Sequence, residues 1–134
     1  MARIRSLTGQ QLAPDVGIVF QEIQGAFGRV PNLFRTCAHH PPLLRANWEK
    51  VKAVMMVGSV RRKVKETIAV LVSKDNSCAH CVAAHTAALQ SLGMSPDQID
   101  ALEVGLDTAD FDAKEKALIQ FAREANRSPL SITD

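Results

Sequence analysis

The sequence predicts an all-α protein, and three observations support this. Apolar residues recur at spacings of three and four along most of the chain, as they do on one face of a helix. Prolines, glycines and capping residues divide the chain into segments of helical length. Only one segment, 67–73, has the β-branched composition of a buried strand, and no comparable segment lies nearby to pair with it.

Length and composition indicate a single globular domain over residues 1–134. Hydrophobic residues make up 46% of the chain and charged residues 22%, which is too apolar for a disordered protein. The net charge is +2, and the one basic cluster, residues 61–63, has no interleaved aromatic residues. We therefore expect this cluster to be the solvated face of a helix and not a nucleic-acid surface.

Two further features bear on the compartment. No apolar run approaches the roughly 18 residues that span a bilayer, and no secretory h-region is found, so we expect a cytoplasmic protein without a membrane segment. The three cysteines form an odd set in such a protein, which argues against a structural disulfide framework. A close pair of cysteines then indicates chemistry or metal binding.

The first half of the chain is expected to form three helices. Glycines near residue 25 end the first, Pro31 and Pro41 bracket a short second one, and Pro42 suits the first turn of the third. His39 and His40 are interpreted as structural residues before Pro41, and Cys37 as a buried apolar residue. The expected helices span 14–25, 32–39 and 42–57.

The second half is expected to form four more helices. Ser59 is predicted to cap the first, and Ser77 to cap an alanine-rich helix that Gly93 ends. Ser95 to Gln98 has capping-box spacing, and the last helix is expected to place Phe121 on its inner face. The chain then ends on 131–134, which resembles the lead-in to another helix. The expected ranges are 59–74, 78–92, one from 96 onwards and 112–126.

The segment Asn76–His85 holds the main cluster of reactive side chains in the chain, with two thiols and two imidazoles. At about 100° per residue, Cys78, Cys81 and His85 fall within about 60° of one another on a helical wheel, whereas His80 lies on the far side. Cys78 lies at the helix start, where unpaired backbone N–H groups favour a thiolate. His85 is four residues after Cys81, close enough to take its proton.

Glu66 on the preceding helix is expected to meet His85. If the two helices are antiparallel, Glu66 lies about 15 Å from their shared turn and His85 about 12 Å, so their depths are similar. A carboxylate beside an imidazole fixes its tautomer and strengthens it as a base. The arrangement Glu66–His85–Cys81, with Cys78 one turn away, suits thiol redox catalysis.

These residues resemble the AhpD-like alkylhydroperoxidase family. The family pattern is a glutamate, a gap, Cys-x-His-Cys and a histidine four residues later, which here is Glu66, Cys78 to Cys81 and His85. The upstream segments 30–34 and 40–44 are similar to the peroxidase-related branch of that family. Carboxymuconolactone decarboxylases of the same superfamily generally lack the cysteine pair, which argues against a lactone decarboxylase.

The resemblance implies an AhpD-like helical bundle with the Cys-x-x-Cys motif at the start of a central helix. It also implies trimers or hexamers, and reduction of hydroperoxides without a metal or other cofactor. Cys81 would become the sulfenic acid, Cys78 would close the Cys78–Cys81 disulfide, and Glu66, His80 and His85 would relay protons. An external dithiol, on a lipoylated or thioredoxin-like protein, would reset the enzyme. The chain is shorter at its C-terminal end than the family pattern.

Three alternatives stay open. Cys78, Cys81 and His85 are three possible zinc ligands, which a fourth from Glu66, His80, Cys37 or another subunit would complete. The chain could instead be a non-catalytic assembly module on this fold, or a dithiol/disulfide oxidoreductase without peroxide specificity. A c-type haem is excluded by Val82, because haem attachment needs His directly after the second cysteine.

Overall fold

The structure, a computed structural model, describes residues 3–7, 12–107 and 109–133. Over these three ranges the regular elements are all helical, which confirms the all-α prediction, and segment 67–73 is part of a helix. None of the helices in these ranges combines the length and apolarity needed to cross a bilayer. The chain divides into two compact units, Met1–Val57 and Gly58–Asp134.

The described part of the first unit has three α-helices: α1 (Pro14–Phe27), α2 (Asn32–Cys37) and α3 (Pro41–Val51). The predicted third helix continues to residue 56, but its last turn, Lys52–Met56, is a π-helix. α1 runs past Gly25 and ends at Gly28, whose φ of +70° favours glycine.

The core of this unit is aromatic at its centre. Trp48 packs edge-on against Phe27 and Phe34, and its indole N–H donates to Glu22 at 2.7 Å. Aliphatic side chains complete the core, namely Val16, Val19, Ile23, Val30 and Leu44. These contacts hold the three helices together and supply no reactive group.

The second unit contains α4 (Arg62–Asp75), α5 (Ala79–Ser91), α6 (Pro96–Ala101) and α7 (Ala113–Arg127), followed by a 3₁₀ turn at Pro129–Ser131. α4 packs against both α5 and α7. Its apolar core includes Val64, Val70, Leu71, Leu89, Ile99, Leu102, Phe111 and Ile119. α4 is therefore the central helix of this unit.

Capping residues explain where α6 and α7 begin. Ser95 and Gln98 form the predicted capping box, and Asp112 forms a second one with Glu115. The prediction for α4 is wrong, because its N-cap is Arg61 and not Ser59. The prediction for the inner face of α7 is also wrong at Phe121, which is 55% exposed, whereas Ile119 is fully buried.

The turn between α4 and α5 is short and ordered by backbone hydrogen bonds. Ser77 N–H donates to the Lys74 carbonyl, and Cys78 N–H donates to the Ser73 carbonyl at 2.9 Å. This is the Schellman pattern, with Ser77 in the left-handed conformation at φ +55°. Ser77 therefore belongs to the turn that ends α4. The prediction that it caps α5 is wrong, because the N-cap of α5 is Cys78.

Of the C-terminal segment 131–134, Asp134 lies outside the described residues, and Ser131 belongs to the 3₁₀ turn.

Candidate active site

A cysteine pair opens α5. Cys78 is the N-cap residue of this helix, and its sulfur accepts a hydrogen bond from the Cys81 backbone N–H at 3.4 Å. The sulfurs of Cys78 and Cys81 are bonded to each other as a disulfide, with their Cα atoms 5.4 Å apart. Both residues are half-buried. The pair therefore lies at the surface end of α5, within reach of a molecule in solution.

The neighbouring helix supplies a buried carboxylate. Glu66 is 4% exposed and accepts a hydrogen bond through Oε2 from His85 Nδ1 at 2.7 Å. His85 is half-buried, with one third of its side chain exposed. The antiparallel depth argument is thus confirmed by contact: residues 19 apart in sequence meet across α4 and α5.

This contact defines the donor and acceptor roles of the imidazole. An ionised carboxylate can only accept hydrogen bonds, so the His85 tautomer that fits this contact has its proton on Nδ1 and donates it to Glu66 in a hydrogen bond. In the neutral ring Nε2 is then an acceptor. With Nδ1 in contact with Glu66, Nε2 is the ring nitrogen of His85 that faces away from the carboxylate.

Arg62 completes the surroundings of Glu66. Its Nε donates to Glu66 Oε1 at 3.4 Å, the oxygen that His85 does not use. The sequence interpretation placed Arg62 on a solvated face and missed this contact. The signal that indicates it is the four-residue spacing from Glu66 on one helix.

The last predicted relay residue lies apart from this cluster. His80 is exposed on α5, and its imidazole has no hydrogen-bond partner among the described residues. This agrees with its position on the helical wheel, opposite Cys78, Cys81 and His85. The structure thus joins Glu66 to His85 and Cys78 to Cys81, and leaves His80 exposed on the same helix as the cysteine pair.

The remaining candidate residues are structural. His40 caps α3 by accepting the Leu43 N–H at its ring Nδ1, and His39 Nε2 contacts the Arg5 carbonyl at 2.7 Å. Cys37 is half-buried, not fully buried as expected, and its sulfur accepts a hydrogen bond from Asn47. Within the ranges that the structure describes, no group of three or more His, Cys, Asp or Glu side chains is arranged to hold a metal ion.

The turn that carries Cys78 is braced from α7. Asp75 accepts hydrogen bonds from Arg123 at 2.7 and 3.0 Å and from Arg127 at 2.6 Å. The hydrogen bonds from Arg123, together with those from Arg127, lower the pKa of Asp75 from 3.8 to about 2. Asn76 and Asn126 exchange amide hydrogen bonds beside them. The start of α5 is therefore held by charge-assisted contacts.

Arg61, the residue before Arg62 in the basic cluster, also has a structural role. Arg61 donates two hydrogen bonds to Glu115, each at 2.6 Å, and one to the Asp110 carbonyl. The Lys63 ammonium lies 6.0 Å from the ring centroid of Phe111. The contacts of the basic cluster lie within the second unit. Arg61 is exposed, as expected of a solvated face, whereas Arg62 and Lys63 are half-buried, which that expectation did not include.

A comparison with known proteins shows which family the chain resembles. Residues 41–124 match the model of the carboxymuconolactone decarboxylase family. Over 80 residues the chain is 34% identical to an alkyl hydroperoxide reductase of Mycobacterium tuberculosis, a match that covers 60% of this chain. The same match covers only 23% of that relative, so the chain spans about a quarter of its length.

Solved structures show the same fold. An alkylhydroperoxidase AhpD core from Rhodospirillum rubrum is 33% identical, with a TM-score of 0.69, over 100% of this chain and 94% of that one. A peroxidase-related AhpD core from Ralstonia eutropha is 29% identical, with a TM-score of 0.81, over 98% of this chain and 70% of that one. The chain therefore belongs to the carboxymuconolactone decarboxylase family and shares its helical fold with the AhpD-core proteins.

Proposed function

We propose that this protein is a cysteine-dependent peroxidase that reduces hydroperoxides. The observation that carries the proposal is the buried Glu66 carboxylate, bonded to His85 at 2.7 Å, beside a helix that begins with the Cys78–Cys81 disulfide. The relatives named alkyl hydroperoxide reductase and alkylhydroperoxidase AhpD core support the choice of an oxidoreductase that acts on peroxides.

The proposed reaction begins at Cys81. His85 Nε2 takes the thiol proton, and the Cys81 thiolate attacks one oxygen of the peroxide O–O bond. This bond breaks, a sulfenic acid forms on Cys81, and the other oxygen leaves as an alkoxide that takes the proton from His85. The products are Cys81 sulfenic acid and an alcohol. His80, at the surface of α5, is proposed to exchange protons with solvent.

Cys78 then resolves the intermediate. Its thiolate attacks the Cys81 sulfur, the S–O bond breaks, and the oxygen leaves as water after taking up a proton. The result is the disulfide found in the structure. An external dithiol, on a lipoylated or thioredoxin-like protein, would return the pair to thiols by disulfide exchange, and the reducing cytoplasm would suit this cycle.

Thiol titration tests this proposal. One equivalent of an alkyl hydroperoxide should remove two thiols from each reduced chain, dithiothreitol should restore both, and Cys81→Ser should abolish the loss. Cys37→Ser serves as the matched control, because that cysteine lies outside the site, and it should react as the wild type does. Retention of both thiols under excess peroxide would rule out the peroxidase.

The acid–base part has its own test. Glu66→Gln keeps the shape of the side chain but removes the charge that orients His85, and should slow the peroxide step by roughly 10²-fold. Stopped-flow measurement of thiol loss gives the rate. An unchanged rate in this variant would remove Glu66 from the relay.

A second candidate is a dithiol/disulfide oxidoreductase without peroxide specificity. The observation that favours it is that both bonded cysteines are only half-buried, which would leave the pair open to another dithiol. In that case the thiols would resist peroxide but oxidise rapidly against a protein or small-molecule disulfide.

We further propose that the chain self-associates. α5 is alanine-rich, yet Leu89 is its only fully buried residue among those described. Small exposed residues let a second helix approach closely, and the exposed set on α5 includes Ala79, Ala83, Ala84 and Ala87. The trimer or hexamer that the family resemblance implies would cover this surface.

A further inference from the structure

We propose that Arg62 is a positioning residue that keeps the Glu66 carboxyl group directed at His85 throughout the catalytic cycle. This inference rests on the function proposed above and adds a residue that the family motif does not include. Arg62 itself touches neither cysteine in the contacts observed, so its effect passes through Glu66.

The division of the two carboxylate oxygens supports this role. His85 contacts Oε2 at 2.7 Å, and Arg62 contacts Oε1 at 3.4 Å. The two partners therefore hold the carboxyl group from opposite oxygens. With Oε1 occupied, the carboxyl group cannot turn without breaking a contact to a cation.

The neighbouring cations do not take this place. Arg61 is bonded to Glu115 and to the Asp110 carbonyl, and Lys63 lies over Phe111. Glu66 is 4% exposed, so water offers its charge little solvation. Arg62 is in contact with Glu66 at Oε1, the oxygen that His85 does not use.

The position of Arg62 on α4 is unfavourable for an ion pair that only stabilises the helix. Arg62 is the first residue of α4, where the helix dipole opposes a positive charge. A basic residue four positions before an acidic one is also the weaker order of the two. Since Arg62 is poorly placed to stabilise α4, its contact is better explained by the buried carboxylate.

The proposed proton transfer shows why a second cation matters. When His85 is neutral, a Glu66 held only by His85 would be a buried charge without a counter-ion, which is costly. A protonated Glu66 would donate to Nδ1, and the proton of the neutral ring would then reside on Nε2. His85 could no longer accept from Cys81. Arg62 prevents this exchange of donor and acceptor.

Two substitutions and one control test the inference. Arg62→Gln should slow peroxide-dependent thiol loss by about tenfold, the effect of one hydrogen bond to a charged group. Arg62→Lys keeps the charge and should stay within about threefold of wild type. Arg61→Gln removes the adjacent arginine and its pair with Glu115, and should lower the melting temperature without slowing the reaction.

A double-mutant cycle separates positioning from general damage. If Arg62 acts through Glu66, the variant Arg62→Gln/Glu66→Gln should react within about twofold of Glu66→Gln alone. Independent, multiplying effects of the two substitutions would overturn the inference.

An NMR measurement makes the test independent of peroxide. Long-range ¹H–¹⁵N spectra of the reduced protein, with ¹⁵N-labelled histidine, should report the Nδ1–H tautomer of His85 in wild type and in Arg61→Gln. Arg62→Gln should show substantial Nε2–H tautomer. An unchanged tautomer would contradict the role of Arg62 even if peroxide does not react, whereas a wild type inert to peroxide would contradict the proposed function alone.

Discussion

Ser77 has a strained backbone conformation, at a position where glycine is the usual residue. Its φ of +55° lies in the left-handed region, which a side chain with a Cβ atom adopts at a cost of about 1 kcal/mol. The strain is compensated by the two backbone hydrogen bonds that end α4 and deliver Cys78 to the start of α5.

Replacement of Ser77 by glycine should therefore stabilise the protein. We expect Ser77→Gly to raise the free energy of unfolding by roughly 0.5–1 kcal/mol, because glycine reaches this conformation without a steric penalty. Urea denaturation of the oxidised protein measures the change. Ser73→Gly, within helical backbone on α4, is the matched control and should lower stability by about 0.5 kcal/mol. A destabilised Ser77→Gly would contradict the strain argument.

At the scale of single residues, the central contact of the site could be predicted and its surroundings could not. Helical rise alone placed Glu66 and His85 at similar depth, and they meet at 2.7 Å. Arg62 was missed because charge clusters on a helix are ambiguous until the buried partner is known. Phe121 was misplaced because the inner face of α7 depends on where α4 crosses it.

At the scale of helices, Asp75 links the end of α4 to α7. Its carboxylate is 8% exposed and is bonded to Arg123 and Arg127, which lowers its pKa to about 2. Because the folded pKa lies below the unfolded value of 3.8, this contribution to stability is fully present above pH 4. It disappears as the pH falls through about 2.

We expect Asp75→Asn to lower the free energy of unfolding by roughly 2 kcal/mol at neutral pH, somewhat less if solvent screens the half-exposed Arg127. The difference between variant and wild type should shrink below pH 4 and vanish near pH 2. Chemical denaturation across pH 2–7 measures it, with the exposed Asp100→Asn as the control. A difference that is constant with pH would exclude the carboxylate as its source.

The helices themselves were largely predictable, and their ends less so. The capping box of Ser95 and Gln98 was predicted from their three-residue spacing and is confirmed, whereas the box of Asp112 and Glu115 has the same spacing and was missed. The cap of α5 was assigned to Ser77, one residue too early. Sequence rules favour serine at this position, but the Schellman turn of α4 uses Ser77 and leaves the capping role to the sulfur of Cys78.

At the scale of the whole molecule, the alanine-rich side of α5 is an exposed apolar surface. Ala83, Ala84 and Ala87 are exposed there. An apolar helix covered on one side is typical of a surface that a second subunit buries.

We expect the wild-type chain to sediment as an oligomer and Ala87→Glu to weaken this association at least about tenfold, because the new carboxylate would be buried without a partner. Sedimentation velocity over a concentration series measures it. Gln120→Glu, which adds the same charge to an exposed position of α7, should leave the oligomer intact. A wild-type monomer at high concentration would contradict the prediction.

Cys78 and Cys81 are separated by only two residues within the first turn of α5, and the Cys78 sulfur also accepts the Cys81 N–H. The bond that the proposed cycle forms and breaks thus closes a very small ring, and both of its ends are already held at the start of the helix. Alternation between thiols and disulfide then requires no hinge, no unwinding and no journey by a distant cysteine. The dithiol and disulfide forms of such a protein would have nearly the same backbone conformation. Its turnover rate would then be set by the chemical steps and by the arrival of the next reactant.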